Sequence, residues 1–321
     1  MATFGRTQTI EQQVGAGGRV SIRVTSSDTR VRAIDGDTAR VRATFEIGAP
    51  SETDADRIYA EVQMRVNAGD GFLEVEEPRT LTRSVGHTLG RLLGRGHVDL
   101  ELDVEVPHGC ELQFEGVSAD VQAEGLLGSQ RYRTVSGDVL LREAGGSIRI
   151  DDTSGDLTIR ATDALALHAN AVSGDLSVVA PHLTAVRVNS VSGDVELEGA
   201  FEGAAEHRID TVSGDASIGL IGGATFEVRG LSTDISSRLP HRLEGRSDQR
   251  RVIVGDGSAR IRFGSMSGDL SISAPRRLSA AEPSEGDAPA ASDEMEILRA
   301  VERGEIDVEE AARRLGGNRS E

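Results

Sequence analysis

One tripeptide, Ser-Gly-Asp, recurs at a nearly fixed interval along this chain. It starts at Ser136, Ser154, Ser173, Ser192, Ser213 and Ser267, with variants at Ser118 (Ser-Ala-Asp) and Ser232 (Ser-Thr-Asp). From Ser118 to Ser232 the starts lie 18, 18, 19, 19, 21 and 19 residues apart. The last interval, Ser232 to Ser267, is 35, close to two periods, which predicts a degenerate repeat around Val254-Gly255-Asp256-Gly257. A constant period of this size means one structural unit per repeat, each burying its apolar face on the next.

Aligning the repeats on their Ser defines four apolar positions. One residue before it stand Val117, Val135, Thr153, Val172, Val191, Val212, Leu231 and Met266; four before stand Phe114, Tyr132, Ile150, Ala169, Val188, Ile209, Val228 and Phe263. Three after come Val121, Val139, Leu157, Leu176, Val195, Ala216, Ile235 and Leu270; five after come Ala123, Leu141, Ile159, Val178, Leu197, Ile218, Ser237 and Ile272. Alternation of apolar and polar residues in each flank predicts two short strands meeting at every Ser-Gly-Asp corner. Gly permits φ > 0 there, and Asp and Ser bond nearby backbone groups.

The expected fold is all-β: a β-solenoid with coils of about 19 residues, whose interior is columns of small aliphatic side chains, Val135, Val172, Val191 and Val212 among them. About nine coils at roughly 4.8 Å each make a rod of about 43 Å. A β-sandwich also spaces strands closely, but nothing in it repeats one tripeptide at one corner. Residues 1–107 read as an N-terminal β-rich cap and 108–274 as the solenoid. In the cap, Arg19 to Ile34, Arg40 to Ile47 and Val98 to Val106 alternate, Ser51 to Tyr59 reads as a short capped helix, and Val62–Val66 with Phe72–Glu76 as a hairpin. Residues 275–293, rich in Ala, Pro, Ser and Glu, read as a disordered linker, and 294–317 as a small α-helical hairpin.

Composition excludes several activities. All 35 basic residues among the 321 are Arg, so Walker-type phosphate loops and Schiff-base chemistry, which need an ε-amine, are absent. A net charge of −18 argues against nucleic acid, and the lone Cys110 closes no intrachain disulfide. No apolar run is long enough to span a membrane, and Met1 to Gly18 lacks a signal-peptide pattern, so a cytoplasmic location is expected.

The candidate chemistry is thin. The Asp column after each Gly (Asp120, Asp138, Asp156, Asp175, Asp194, Asp215, Asp234, Asp269) reads as turn-forming rather than calcium-binding, because calcium rolls use a glycine-rich nine-residue repeat. Nothing singles out Asp151, Asp152 and Asp210 as a catalytic set, and His168, His182 and His207 fall at unrelated coil positions. No catalytic residue, cofactor or metal is expected. The acidic strand Asp99 to Glu105 is expected to face Arg23, Arg30, Arg32, Arg40 or Arg42. Arg79 to Val98 has four Arg and no acid, with Leu81, Val85, Leu89, Leu92 and Leu93 at helical spacing. Within it Arg83, His87, Leu89, Arg91, Leu92, Leu93 and Arg95 form the candidate contact for a partner groove or an anionic membrane surface, against the plainer reading of a loop short of acids. In the tail, Ile297, Leu298, Val301, Ile306, Val308 and Leu315 give one apolar helix face for self-association or a partner.

The string Val106-Pro107-His108-Gly109-Cys110-Glu111-Leu112, followed by the Ser-Gly-Asp repeats, resembles the bacterial putative-adhesin, β-strand-repeat family of unknown function, over roughly Thr7 to Ser273. That resemblance implies a β-solenoid and a link to cell-envelope stress, and carries no catalytic residues with it. The tail Met295 to Gly317 resembles SHOCT-like short helical modules, which implies oligomerisation or partner contact. The expected function is a non-enzymatic scaffold for protein partners, itself included, in envelope-stress or regulatory assembly. A self-assembling structural polymer is the alternative, and a carbohydrate-binding or carbohydrate-cleaving β-helix the third reading. The absence of Trp argues against the last, since sugar faces stack on aromatic rings.

Overall fold

In the computed structural model, which describes residues 2–78, 97–246 and 249–276, the Ser-Gly-Asp corners stack directly on one another. Two glycine-dependent contacts explain the tripeptide. The corner glycines have positive φ, for example +116° at Gly174 and +113° at Gly193. A Cβ on Gly174 would also sit 2.0 Å from the carbonyl oxygen of Gly155, and one on Gly193 2.1 Å from that of Gly174. The third residue ties the coils together: Oδ1 of Asp120 accepts the Asp138 amide at 2.8 Å, Asp138 that of Asp156 at 2.9 Å and Asp156 that of Asp175 at 3.0 Å. Asp175 in turn accepts the amide of Asp194 and Asp194 that of Asp215. The Asp column is therefore a turn device, as expected. Ala119 and Thr233, which replace glycine, lie toward the two ends of the stack.

Around this column run two parallel ladders. On one side, Arg19–Arg23, Glu111–Glu115, Ser129–Arg133 and the strands carrying Ile150, Ala169, Val188 and Ile209 pair in order. On the other, Asp28–Ile34, Val121–Glu124, Val139–Ser154, Leu157–Ser173, Leu176–Ser192, Val195–Phe201 and Ala216–Ile221 do the same. This is a β-solenoid-like stack. Among the described residues its ladder ends are not joined into a closed sheet. Columns four before, three after and five after the Ser fill the core, as the periodicity predicts; Phe114, Tyr132, Ile150, Leu141 and Ile159 are all but fully buried.

Three expectations need correction. First, the column one residue before the Ser is outside the core: Val135, Val172 and Val191 are 47–49% exposed. The reason is parity. A residue three positions from a buried one on the same strand faces the opposite side, and the inward side of the corner is taken by the residue two before the Ser: Thr134, Asp152, Ser190, Thr211 and Ser265 are buried. These Val do stack one above another, but outside. Second, residues 19–34 are not a separate cap. They form a coil beneath Ser118, with Ser26-Ser27-Asp28 as the corner: the Ser118 amide donates to Thr25 at 2.7 Å, as the Ser136 amide does to Val117. The cap proper is the helix Glu52–Val62, the antiparallel pair Ala2–Gln13 and Thr38–Ala49, the strand Val98–Pro107 and the hairpin Arg65–Gly69 with Phe72–Glu76.

Third, Val254-Gly255-Asp256-Gly257 is no degenerate coil. His241–Arg246 and Gln249–Val254 form an antiparallel hairpin closing the far end, and the chain turns at Gly255 into Ala259–Ser267. That strand wedges between Glu206–Ser213 and Ala224–Ser232, so the coil of Ser267 lies below the coil of Ser232, which precedes it in sequence. The Asp column records the exchange: Asp215 accepts the amide of Asp269, and Asp269 that of Asp234. The helix expected over Ser51–Tyr59 is capped by Ser51, whose Oγ accepts the Asp54 amide at 3.2 Å, but runs on to Val62. The hairpin's first strand accordingly starts at Arg65 rather than Val62. The proposed linker beyond Arg276 and the helical module 294–317 lie outside the described residues.

Two predictions follow from these contacts. Gly174→Ala combines positive φ with a backbone clash, so it should cost about 2 kcal/mol or more and lower Tm by several degrees in a thermal melt, whereas Ala119→Gly should change stability far less. His207 is fully buried and edge-on to Phe201, its Nε2 2.9 Å from the Glu202 carbonyl. Burial holds its pKa below the ordinary 6.5, so the unfolded chain takes up the proton first and stability falls as pH drops below about 6.5. Urea melts of wild type should show that loss and His207→Gln should flatten it.

Candidate functional site

The site that stands out is the misplaced column itself. Successive coils set Val117, Val135, Thr153, Val172, Val191, Val212 and Met266 over one another on the outer face, one per strand spacing of about 4.8 Å. Val117, Val135, Val172, Val191, Val212 and Met266 are between 42% and 58% exposed. The neighbouring outward columns are polar, which isolates the aliphatic line as a continuous ladder rather than scattered surface apolars. A shallow depression of about 570 Å³ runs along it, lined by Val135, Val172, Val191 and Val212 with Asp151, Asn170, Asn189 and Asp210 beside them.

That flank is an ordered rail. Asn170 Nδ2 donates to Asp151 Oδ1 at 2.7 Å, and Asn189 Nδ2 to Asn170 Oδ1 at 2.8 Å. Asp151 also accepts from Arg131 and Arg149 at 3.2 Å each, and these partners hold its carboxyl below the usual range against the opposing effect of burial. Arg208 closes on Asp210 at the other end. Two residues further out, Arg131, Arg149, His168, Arg187 and Arg208 form a mostly basic column by the strand register. Beneath the ladder, Thr134 donates to Asp152 Oδ1, and burial pushes the Asp152 carboxyl up. Its Oδ2 has no hydrogen-bond partner.

Asp151, Asp152 and Asp210 thus line one depression; Asp151 is bonded to Arg131, Arg149 and Asn170, Asp210 to Arg208, and Asp152 is buried. Among the described residues no group of three His, Cys, Asp or Glu is placed to hold a metal. His168 is half-buried in the basic column, His182 exposed and His207 buried. Cys110 is buried, its thiol pushed up to about 12 by desolvation, which makes it unreactive. On the acidic strand, Arg30 pairs with Glu101 and Arg40 with Glu105 at 2.8 Å, as expected, while Arg23 turns to Glu115 and Arg32 to Glu124. The candidate contact residues Arg83, His87, Leu89, Arg91, Leu92, Leu93 and Arg95 lie outside the described residues, as do Ile297, Leu298, Val301, Ile306, Val308 and Leu315. No described helix is long and apolar enough to cross a membrane. The ladder was present in the sequence as a column of Val. Its exposure was signalled by its odd offset from the buried Phe114–Phe263 column.

Stacked parallel coils with a glycine corner and an outward aliphatic ladder define a β-solenoid-like repeat protein. The chain belongs to the Toastrack DUF4097 family, whose model matches residues 7–208. No curated protein matches it. Among solved structures it is similar to a putative cell adhesion protein from Clostridium sporogenes ATCC 15579, at 9% identity over 85% of this chain and 100% of that one, with a TM-score of 0.27. A putative adhesin from Bacteroides fragilis NCTC 9343 gives 13% identity over 83% and 97%, with a TM-score of 0.29. A putative lipid binding protein from Parabacteroides distasonis ATCC 8503 gives 11% identity over 83% and 96%, with a TM-score of 0.31.

Proposed function

We propose that this protein is a non-enzymatic interaction scaffold and that the aliphatic ladder is its contact face. The supporting observation is the ladder's exposure: half-exposed Val on a rigid, hydrogen-bonded parallel sheet. An apolar line whose side chains contribute little to the core has its use at an interface. The polar rail and the basic column beside it supply the rim. A role in bacterial envelope-stress or regulatory assembly fits such a scaffold, with the tail 294–317 as a second contact. Val172→Asp combined with Val191→Asp should leave Tm within about 1–2 °C, because exposed substitutions cost little, and should abolish partner recovery in a pull-down from native lysate. Equal recovery by both forms counts against the ladder.

A polymer reading has one observation in its favour. Among the described residues His241–Arg246 pairs on one side only, with Gln249–Val254, and its Leu243 is 59% exposed, so an open strand edge carrying one exposed Leu stands at the far end of the stack. Filaments under the electron microscope that vanish with Leu243→Lys would favour it. A sugar-binding reading is weakened by the outer face, since no aromatic is among the exposed large apolar residues described.

A further inference from the structure

We propose that the ladder's partner is a second copy of this chain, packed face to face about a two-fold axis that runs along the coil stack. The proposal rests on the reading of the ladder as a contact face and names its occupant. The argument is charge complementarity. Along the chain the outward columns run in a fixed order: basic (Arg131, Arg149, Arg187, Arg208), Asp/Asn rail, aliphatic ladder, Ser and, past the corner Gly at the rim of the face, the exposed Asp column. The ladder lies between a basic column on one side and an acidic one on the other.

Only two kinds of two-fold axis bring this face onto itself with the ladders in contact. An axis parallel to the strands opposes each column to its own copy, setting Arg against Arg and Asp against Asp, which like-charge repulsion disfavours. An axis along the stack reverses the column order in the partner while keeping heights equal. The Arg column of one copy then meets the Asp column of the other, and Val172 and Val191 meet their own counterparts. Arg187 is available for this: among the described residues it has no acidic partner, unlike Arg131, Arg149 and Arg208. Each corner Asp commits Oδ1 to the next coil's amide and remains exposed. The face is about 29 Å along the ladder from Val117 to Met266 and about 20 Å across, on the order of the roughly 800 Å² per partner that a stable interface takes. The half-buried state of the Val fits as well, since sheets packed face to face interdigitate side chains of this size at about 10 Å.

The full-length chain tests this by light scattering on size exclusion across a dilution series. A mass of twice 34.0 kDa is expected, reduced to one chain by Val172→Asp with Val191→Asp at unchanged circular dichroism, and an at least tenfold weaker dimer for Arg187→Glu. Because Cys110 is buried, single cysteines report the axis: Val191→Cys and Val212→Cys should each cross-link to themselves under mild oxidation, and Val66→Cys on the hairpin should not. Cross-linking of Val135→Cys with Val212→Cys in a mixture, in place of the same-residue links, would overturn the axis. A monomeric wild type that still loses lysate partners on ladder substitution overturns the second-copy proposal and leaves the scaffold reading intact. A dimer indifferent to the ladder substitutions overturns it too, and the pull-down then decides the scaffold reading alone.

Discussion

Everything in this molecule depends on how closely one corner approaches the next. At Gly174 and Gly193 the space a methyl group needs is already taken by the carbonyl of the coil below, and the backbone has turned into a region that side chains avoid. With the corners that close, each Asp carboxylate reaches the amide one coil up, which removes a donor that would otherwise be unsatisfied and offsets the repulsion of stacked acids. The fixed coil length, the parallel ladders and the alignment of every other column follow from that contact.

The same contact explains why the surface is as regular as the interior. Once corners are in register, whatever residue type recurs at an outward offset becomes a continuous line. The mostly Val ladder, the Asp/Asn rail and the mostly Arg column are each one kind of side chain recurring along the stack axis. Single exposed Val would be unremarkable on any protein; their alignment over several coils makes an apolar strip with charged margins.

Much of the fold was legible in the sequence, and the misses have physical causes. The tripeptide and the columns of Phe114, Val139 and Leu141 gave the coil and its core, because both depend on local periodicity. The exposure of Val135 and Val172 does not follow from their apolar character; it follows from their offset of three from Tyr132 and Ala169, which requires the opposite face. The coil of Ser26 was missed because 92 residues separate it from Ser118 and its glycine is replaced by Ser27. The insertion of Ala259–Ser267 between earlier strands is a tertiary choice that no local pattern records. Of the candidate contacts, the segment 79–98 and the tail announced themselves by composition, whereas the ladder showed only in three dimensions.

The exchanged order at the far end bears on how the chain is built. Most of the stack can grow as synthesis proceeds, each new coil settling on the one just made. The coils of Ser213 and Ser232, consecutive in the chain, never touch as ladder neighbours; the strand Ala259–Ser267 and the short strand Leu270–Ser273 lie between them. A nascent chain that has emerged only as far as the hairpin therefore has a missing rung, and its terminal unit has no proper seat until the last strands arrive. Completion of the stack at that end waits on the last strands, carried by residues that a truncation only about twenty positions upstream of Arg276 would delete.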